Sequence, residues 1–308
     1  MVKPNFFIVG APKCGTTALS EYLREHPNIY MCDPKEPHFF NYDFEQYRVV
    51  KTLEEYLSLF EASTSEHFAI GEASALYLYS SVALEKIQQF DPQAKIIVML
   101  RNPVDLAYSY HSQLLYASDE NEQDFEQAWR LQSIRRKGKK IPKHCRNSAI
   151  LQYAAVARLG EQIERLLGIF PRKQVEIIFF DDFTNSTKQV YEKVLKFLEV
   201  PGDNRTDFRR INQNKSHKLR VIGNFSERPP EFLNDHVMRA KKILGLERLY
   251  ILDAVRYFNN KVTTRQPLSA SFRAELVAEF ESDIKKLSQL LDKDLSHWLL
   301  EKSPKLKK

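Results

Sequence analysis

Phe6-Phe7-Ile8-Val9-Gly10-Ala11-Pro12-Lys13-Cys14-Gly15-Thr16-Thr17-Ala18-Leu19 decides the fold of this 308-residue chain. The apolar run reads as a strand, the stretch around Lys13 as a tight loop, and Thr16 as the start of a helix. A strand, loop and helix start in that order make an anion cradle. The amides of a helix's first turn have no partner inside the helix, and that end carries positive potential. Gly10 and Gly15 permit the sharp turn and the close approach of backbone to a ligand. A nucleoside-triphosphate loop reads G-x-x-x-x-G-K-[ST], with lysine directly after the second glycine. Here the glycine spacing is kept, but Thr16 fills that place and the cation is Lys13, on the crest of the loop. A lysine there reaches a bridging oxygen of a bound phosphate.

Working outward, Ala18, Leu19, Tyr22 and Leu23 recur at helical spacing, and Pro27 closes that helix after His26. Residues 95–100 form a continuous apolar run, as expected of a parallel strand covered on both faces, and residues 175–180 form another. Helical patterns cover residues 53–62, 81–90, 103–116, 149–170, 186–198 and 271–291. Strands alternating with helices predict an α/β fold, a P-loop-like doubly wound parallel sheet flanked by helices. In the last helix Leu276, Phe280, Ile284, Leu287 and Leu291 make one apolar stripe, read as packing against the sheet. Residues 202–220 are polar and basic without a period, and read as a long loop that covers the ligand.

The strand at 95–100 ends in Arg101-Asn102-Pro103-Val104-Asp105-Leu106-Ala107-Tyr108-Ser109. Pro103 suits the first turn of a helix, which leaves Arg101 at the carboxyl end of a strand, where open α/β sheets bind ligands. Its guanidinium offers a rigid fork of donors to a phosphate. Ser109, two helical turns after Asn102, can donate its hydroxyl to the same anion. Each motif alone also has a plain reading, as a glycine-containing turn and as a capping or salt-bridging strand end. Together they describe two phosphate sites on one predicted sheet.

The first loop and its Thr-Thr-Ala-Leu helix start resemble the 5'-phosphosulfate loop of sulfotransferases that use 3'-phosphoadenosine 5'-phosphosulfate (PAPS). R-[ND]-P-x-D-x-A-x-S resembles their 3'-phosphate motif. Lys35-Glu36-Pro37-His38-Phe39-Phe40 is similar to the segment bearing the catalytic glutamate in members of the heparan sulfate type. Ile70-Gly71-Glu72-Ala73-Ser74-Ala75-Leu76-Tyr77 is similar to the family's substrate-side stretch, and residues 162–183 and 294–299 to bacterial members. The resemblance covers most of the chain and implies a single sulfotransferase domain over residues 1–308. It implies PAPS as donor, adenosine 3',5'-bisphosphate as product, no metal, and an acceptor with a hydroxyl or amine: a small molecule, a glycan or a carrier-bound group. Binding roles follow for Lys13, Cys14, Gly15, Thr16, Thr17, Ala18, Arg101 and Ser109. Lys218 and Arg220 are added from residues 211–220, a loose match to a second 3'-phosphate element. Leu159 stands where many members carry a tyrosine that contacts the nucleotide.

Sulfuryl transfer builds charge on the bridging oxygen as its bond to sulfur breaks, so the site needs a cation there and a base for the acceptor proton. Lys13 is the expected cation and Glu36 the expected base, with apolar neighbours that would raise its pKa. His38 is the rival base; if the segment is extended, positions 36 and 38 face the same side. Glu72 reads either as substrate-side or as an ion-pair partner of Lys35. His111 reads as a surface or core-edge histidine. Cys14 reads as a loop filler or, if the helix end lowers its pKa, as a reactive thiol.

The whole chain is permissive rather than decisive. Its net charge of +6 and pI near 9.0 favour anionic ligands of any kind. It has 43% apolar and 28% charged residues, ordinary for a globular protein. No apolar run reaches the ~18 residues of a membrane span, and a first strand beginning near Asn5 leaves no room for a signal peptide, so the chain reads as cytoplasmic. Cys14, Cys32 and Cys145 suggest neither a disulfide framework nor a zinc site. Within residues 119–147, the basic run 134–146 reads as a lid that attracts an anionic acceptor or as a solvated loop. Residues 303–308 are a basic tail. Two rivals remain. A P-loop kinase or NTPase is suggested by G-x-x-x-x-G and by Asp181-Asp182 at a strand end. A polyanion-binding protein is suggested by the basic stretches, although no nucleic-acid recognition module is visible. Nothing in the residues fixes an oligomeric state.

Overall fold

The computed structural model describes residues 2–209, 211, 215–217, 260–262 and 265–300. The described residues fall into two compact units. The first draws on Met1–Tyr110, Arg146–Ile211 and Leu268–Lys308, the second on His111–Cys145 and Asn212–Pro267.

The first unit is built on a five-stranded sheet of β1 (Phe6–Gly10), β2 (Ile29–Met31), β3 (Ala69–Ala73), β4 (Lys95–Leu100) and β5 (Val175–Phe179). The strand order is β2-β3-β1-β4-β5 and every pairing is parallel. Phe6, Phe7, Ile8 and Val9 are fully buried, as a central strand with helices on both faces requires. Residue Ile8 pairs with Ile97 and Gly10 with Val98, so a register irregularity falls where β1 gives way to its loop. The sheet is the doubly wound one expected from strand and helix alternation.

The helices of this unit are α1 (Thr16–Arg24), α2 (Leu53–Ser58), α3 (Ala83–Phe90) and α4 (Pro103–Tyr116), the last ending in the second unit. The second unit also holds α5 (Phe125–Arg130) and α6 (Gln132–Arg136). The first unit resumes with α7 (Tyr153–Ala157), α8 (Leu159–Ile169), α9 (Phe180–Asn185), α10 (Thr187–Leu198) and α11 (Ala270–Leu291). The single helix expected over residues 149–170 is instead a short 3-10 turn, α7 and α8, broken at Gln152 and Arg158. The break at Arg158 is stabilised from far away: Asp283 of α11 accepts hydrogen bonds from the Gly160 and Glu161 amides at 2.8 and 2.9 Å. The apolar stripe of α11 faces α8 rather than the sheet, with Leu276, Phe280, Ile284 and Leu287 buried there.

In the second unit Arg135 and Glu120 form a fully buried pair with two hydrogen bonds, at 2.5 and 2.8 Å. The basic run is therefore not simply a solvated loop, since Arg135 is committed to an internal carboxylate. His111 is buried, with Nε2 2.8 Å from the Glu122 carbonyl, a core histidine and not a surface one. Strands β6 (Lys215–His217) and β7 (Asn260–Val262) pair antiparallel. Among the described residues no helix is long and apolar enough to cross a membrane.

Candidate functional site

Three neighbouring strands deliver the site. The loop after β1 turns through Gly10 at φ +151°, Lys13 at +64° and Gly15 at +96°. Gly15 precedes α1 in the left-handed region, and no side chain caps the helix. Among the described residues the first amide of that turn with a backbone partner is Leu19, which donates to Gly15. The amides of Thr16, Thr17 and Ala18 therefore form an open, electropositive end. A Cβ at Gly15 would lie a tight 3.2–3.3 Å from Met99, Phe180 and Phe183, and at φ +96° any side chain would be strained.

Arg101 at the end of β4 closes the other side. Its Nη1 donates to the Lys13 carbonyl at 3.1 Å, and its guanidinium lies 4.5 Å from the centre of the Phe180 ring at the end of β5. The structure thus brings the two motifs together, and Phe180, not singled out by the sequence reading, sets its ring face beside the guanidinium. Asn102 accepts from the Val104 amide at 3.0 Å and donates to the Trp298 carbonyl at 3.0 Å, which fixes the strand-to-helix corner. Ser109 lies buried on α4, and Leu159 is wholly buried. Lys218 and Arg220 lie outside the described residues. A fixed cradle of open amides, with Lys13 and Arg101 tied to it, suits a phosphate-bearing ligand.

Cys14 is the loop's filler. It is fully buried, its Sγ donates to the Pro12 carbonyl at 3.4 Å, and burial pushes its thiol up to about 12 against the pull of Arg101 and Lys13. The reactive-thiol reading is corrected: burial outweighs the helix end.

The segment of residues 35–40 is not extended. Glu36 and His38 take φ of +63° and +53°, and this turned backbone brings their side chains together. Glu36 lies 2.5 Å from Lys35 Nζ and 3.6 Å from His38 Nε2. Burial pulls the Glu36 carboxyl upward, but Lys35 and His38 together outweigh it and hold it well below the ordinary range. The expected upward shift is thus reversed, and the ion pair of Lys35 goes to Glu36 rather than to Glu72. Asn41 Nδ2 lies 3.3 Å from His38 Nδ1, on the side of the ring away from Glu36.

Glu72 is completely buried and accepts from Tyr56 at 2.7 Å, Tyr77 at 2.9 Å and Ser74 at 2.8 Å. Burial raises its carboxyl to about 7, against the opposing effect of those hydroxyls. Sequence reasoning missed Ser74, Tyr77 and Asn41 as partners of this segment, because nothing local marks them. Asp182, the candidate magnesium ligand of the kinase reading, lies in the first turn of α9 and pairs with Lys293 at 3.0 Å.

Comparison with known proteins agrees with this geometry. The family model described as "Sulfotransferase domain" matches residues 3–234. The chain is 27% identical to mouse carbohydrate sulfotransferase 15 over 252 residues, 64% of this chain and 44% of that protein. It is 24% identical to the Caenorhabditis elegans bifunctional heparan sulfate N-deacetylase/N-sulfotransferase 1 over 285 residues, 88% of this chain and 32% of that protein. It spans under half the length of these two curated relatives. Among solved structures, a sulfotransferase from Alicyclobacillus acidocaldarius superposes with a TM-score of 0.71 at 28% identity, covering 97% of this chain and 99% of that one.

Proposed function

We infer the reaction from one premise: this chain belongs to the sulfotransferase-domain family. It moves a sulfuryl group from PAPS to a hydroxyl or amine of an acceptor, and releases adenosine 3',5'-bisphosphate. The observation that carries this reading is the hydrogen bond from Arg101 to the Lys13 carbonyl, which joins two anion-binding motifs at one open helix end.

The donor supplies an activated sulfuryl group; the chain's residues supply orientation and charge. The amides of Thr16, Thr17 and Ala18 and the two threonine hydroxyls hold the 5' end. Lys13 sets a positive charge beside the leaving oxygen, where negative charge grows as the bond to sulfur breaks. Arg101 and Ser109 take the 3'-phosphate, and so favour PAPS over ATP. Lys218 and Arg220 would add to this grip.

Glu36 takes the acceptor proton. Lys35 and His38 keep it ionised at neutral pH and, by the same shift, make it a weak base in the resting site, since a general base works best with a pKa near the operating pH. His38, with Nε2 3.6 Å from the Glu36 carboxylate, stands beside it as the rival base. Relatives named for carbohydrate and heparan sulfate point to a glycan as the first acceptor class to test.

Radiolabelled PAPS incubated with desulfated chondroitin and heparan chains, and separately with a fractionated metabolite extract, tests the assignment. Label should enter one of these fractions. In competition, adenosine 3',5'-bisphosphate should bind far tighter than ADP without magnesium. Equal binding of the two nucleotides would exclude the 3'-phosphate site and return the kinase reading.

A further inference from the structure

Glu72 is a carboxylate fully buried on a central strand, in a place where a leucine would fill the space without desolvating a charge. Its hydrogen bonds show what the charge does. In its ionised form the carboxylate only accepts, and the hydroxyls of Ser74 and Tyr77 then point their protons at it. Their lone pairs are then turned outward, and each accepts a backbone amide of the acceptor-side segment. His38 N donates to Ser74 Oγ at 3.1 Å and Phe40 N to Tyr77 Oη at 3.3 Å. Two more ties run alongside. Glu36 N donates to the Ala73 carbonyl at 3.1 Å, and the ring of Tyr56, whose hydroxyl also binds Glu72, stacks on Phe39 at 4.4 Å and 9°.

We propose that Glu72 is a positioning residue for the acceptor side of the reaction. By orienting the hydroxyls of Ser74, Tyr77 and Tyr56 it fixes the backbone of residues 36–40, and with it the left-handed turns that bring Glu36 and His38 together. The inference rests on the reading of Glu36 as the base. Misplacement of a reacting group by about 1 Å costs on the order of a hundredfold in rate. The cluster's effect therefore belongs in turnover, not in donor binding.

Four variants test it: Ser74→Ala and Tyr77→Phe, which cut one tie each, Glu72→Leu, which removes the anchor, and Glu72→Gln. A glutamine oxygen still accepts from both tyrosines while its amide donates to Ser74, so Gln is the conservative rescue. Amide hydrogen exchange on the free enzyme should show protection lost at His38 in Ser74→Ala and at Phe40 in Tyr77→Phe, with the β1 and β4 amides unchanged. Adenosine 3',5'-bisphosphate should bind within about threefold of wild type. Turnover of saturating PAPS, with the acceptor fraction that wild type labels, should fall by about thirtyfold in Ser74→Ala and in Tyr77→Phe and further in Glu72→Leu, and Glu72→Gln should recover most of it.

Unchanged protection at His38 and Phe40 in the single-tie variants would overturn the proposal, and this arm needs no acceptor. Uniform loss of protection together with loss of nucleotide binding would reduce Glu72 to a structural role and overturn it equally. Local loss of protection with undiminished turnover would instead overturn the reading of Glu36 as base, and the proposal with it.

Discussion

At the scale of the residue, charge placement separates the roles of three carboxylates. Glu36 is held ionised by Lys35 and His38, Asp182 is paired with Lys293, and Glu72 is buried among hydroxyls. Lys13→Ala should lower turnover by about a hundred- to a thousandfold, as loss of a charge-stabilising group does. Glu36→Gln should lower it by a similar factor while adenosine 3',5'-bisphosphate affinity, read by calorimetry, stays within about threefold. Full activity in Glu36→Gln would move the base elsewhere. Glu72 makes a separate prediction on stability. Its folded pKa, about 7, is raised above the unfolded value of 4.5. The folded state therefore binds the extra proton between these values, and that stabilisation is complete below 4.5 and lost as pH rises through 7. The shift corresponds to about 3 kcal/mol. Urea titrations at pH 5 and pH 8 should show wild type losing most of this margin relative to Glu72→Gln; parallel losses in the two proteins would exclude an elevated Glu72 pKa.

At the scale of the element, the legible parts were those with a local signal. The apolar runs of β4 and β5 and the stripe of α11 are visible in composition, and Pro103 marks the start of α4. Strands β2 and β3 were not foreseen. The first has three residues, and the second contains Gly71 and Glu72, so neither shows a period. The break before α8 was equally hidden, because its capping carboxylate comes from Asp283 on α11. Asp283→Ala should destabilise the fold by about 1–3 kcal/mol and release the Gly160 and Glu161 amides to exchange, with little effect on nucleotide binding. Gly15→Val should act the other way round. A β-branched residue at φ +96°, against Met99, Phe180 and Phe183, displaces the open end of α1. Adenosine 3',5'-bisphosphate affinity should fall by about a hundredfold or more, and an affinity within threefold of wild type would mean that this helix end does not hold the ligand.

At the scale of the whole molecule, the alternation of strands and helices was enough to predict a doubly wound parallel sheet, but not the order β2-β3-β1-β4-β5, which depends on pairings between distant segments. The same limit applies to the site. Lys13 and Arg101 were legible as separate anion groups; that they touch is a product of β1 and β4 being neighbours. The boundary between the two compact units falls inside α4, between Tyr110 and His111, where no glycine, proline or change of composition marks it. Because the cradle belongs to the folded chain alone, its ligand should stabilise the fold by mass action. At a hundred times its Kd, adenosine 3',5'-bisphosphate should add about 2.7 kcal/mol and raise Tm accordingly, while ADP at the same concentration adds little. Equal shifts from both would argue against selective 3'-phosphate binding.

Lys13, Glu36 and His38 share one property that needs no knowledge of chemistry: each is a non-glycine residue with positive φ. Such a backbone costs on the order of 1–3 kcal/mol at each position, and glycine would relieve it. A substitution library of this chain sorted only for heat resistance, with no substrate and no assay, should therefore enrich glycine at positions 13, 36 and 38, as it should at Ser118, Lys140, Glu199, Asn204 and Asp292, which share the property among the described residues. Heat tolerance gained at 13, 36 and 38 should come with loss of the reaction, whereas heat tolerance gained at the other five positions should leave it intact, so that the two groups separate the site from the rest of the fold.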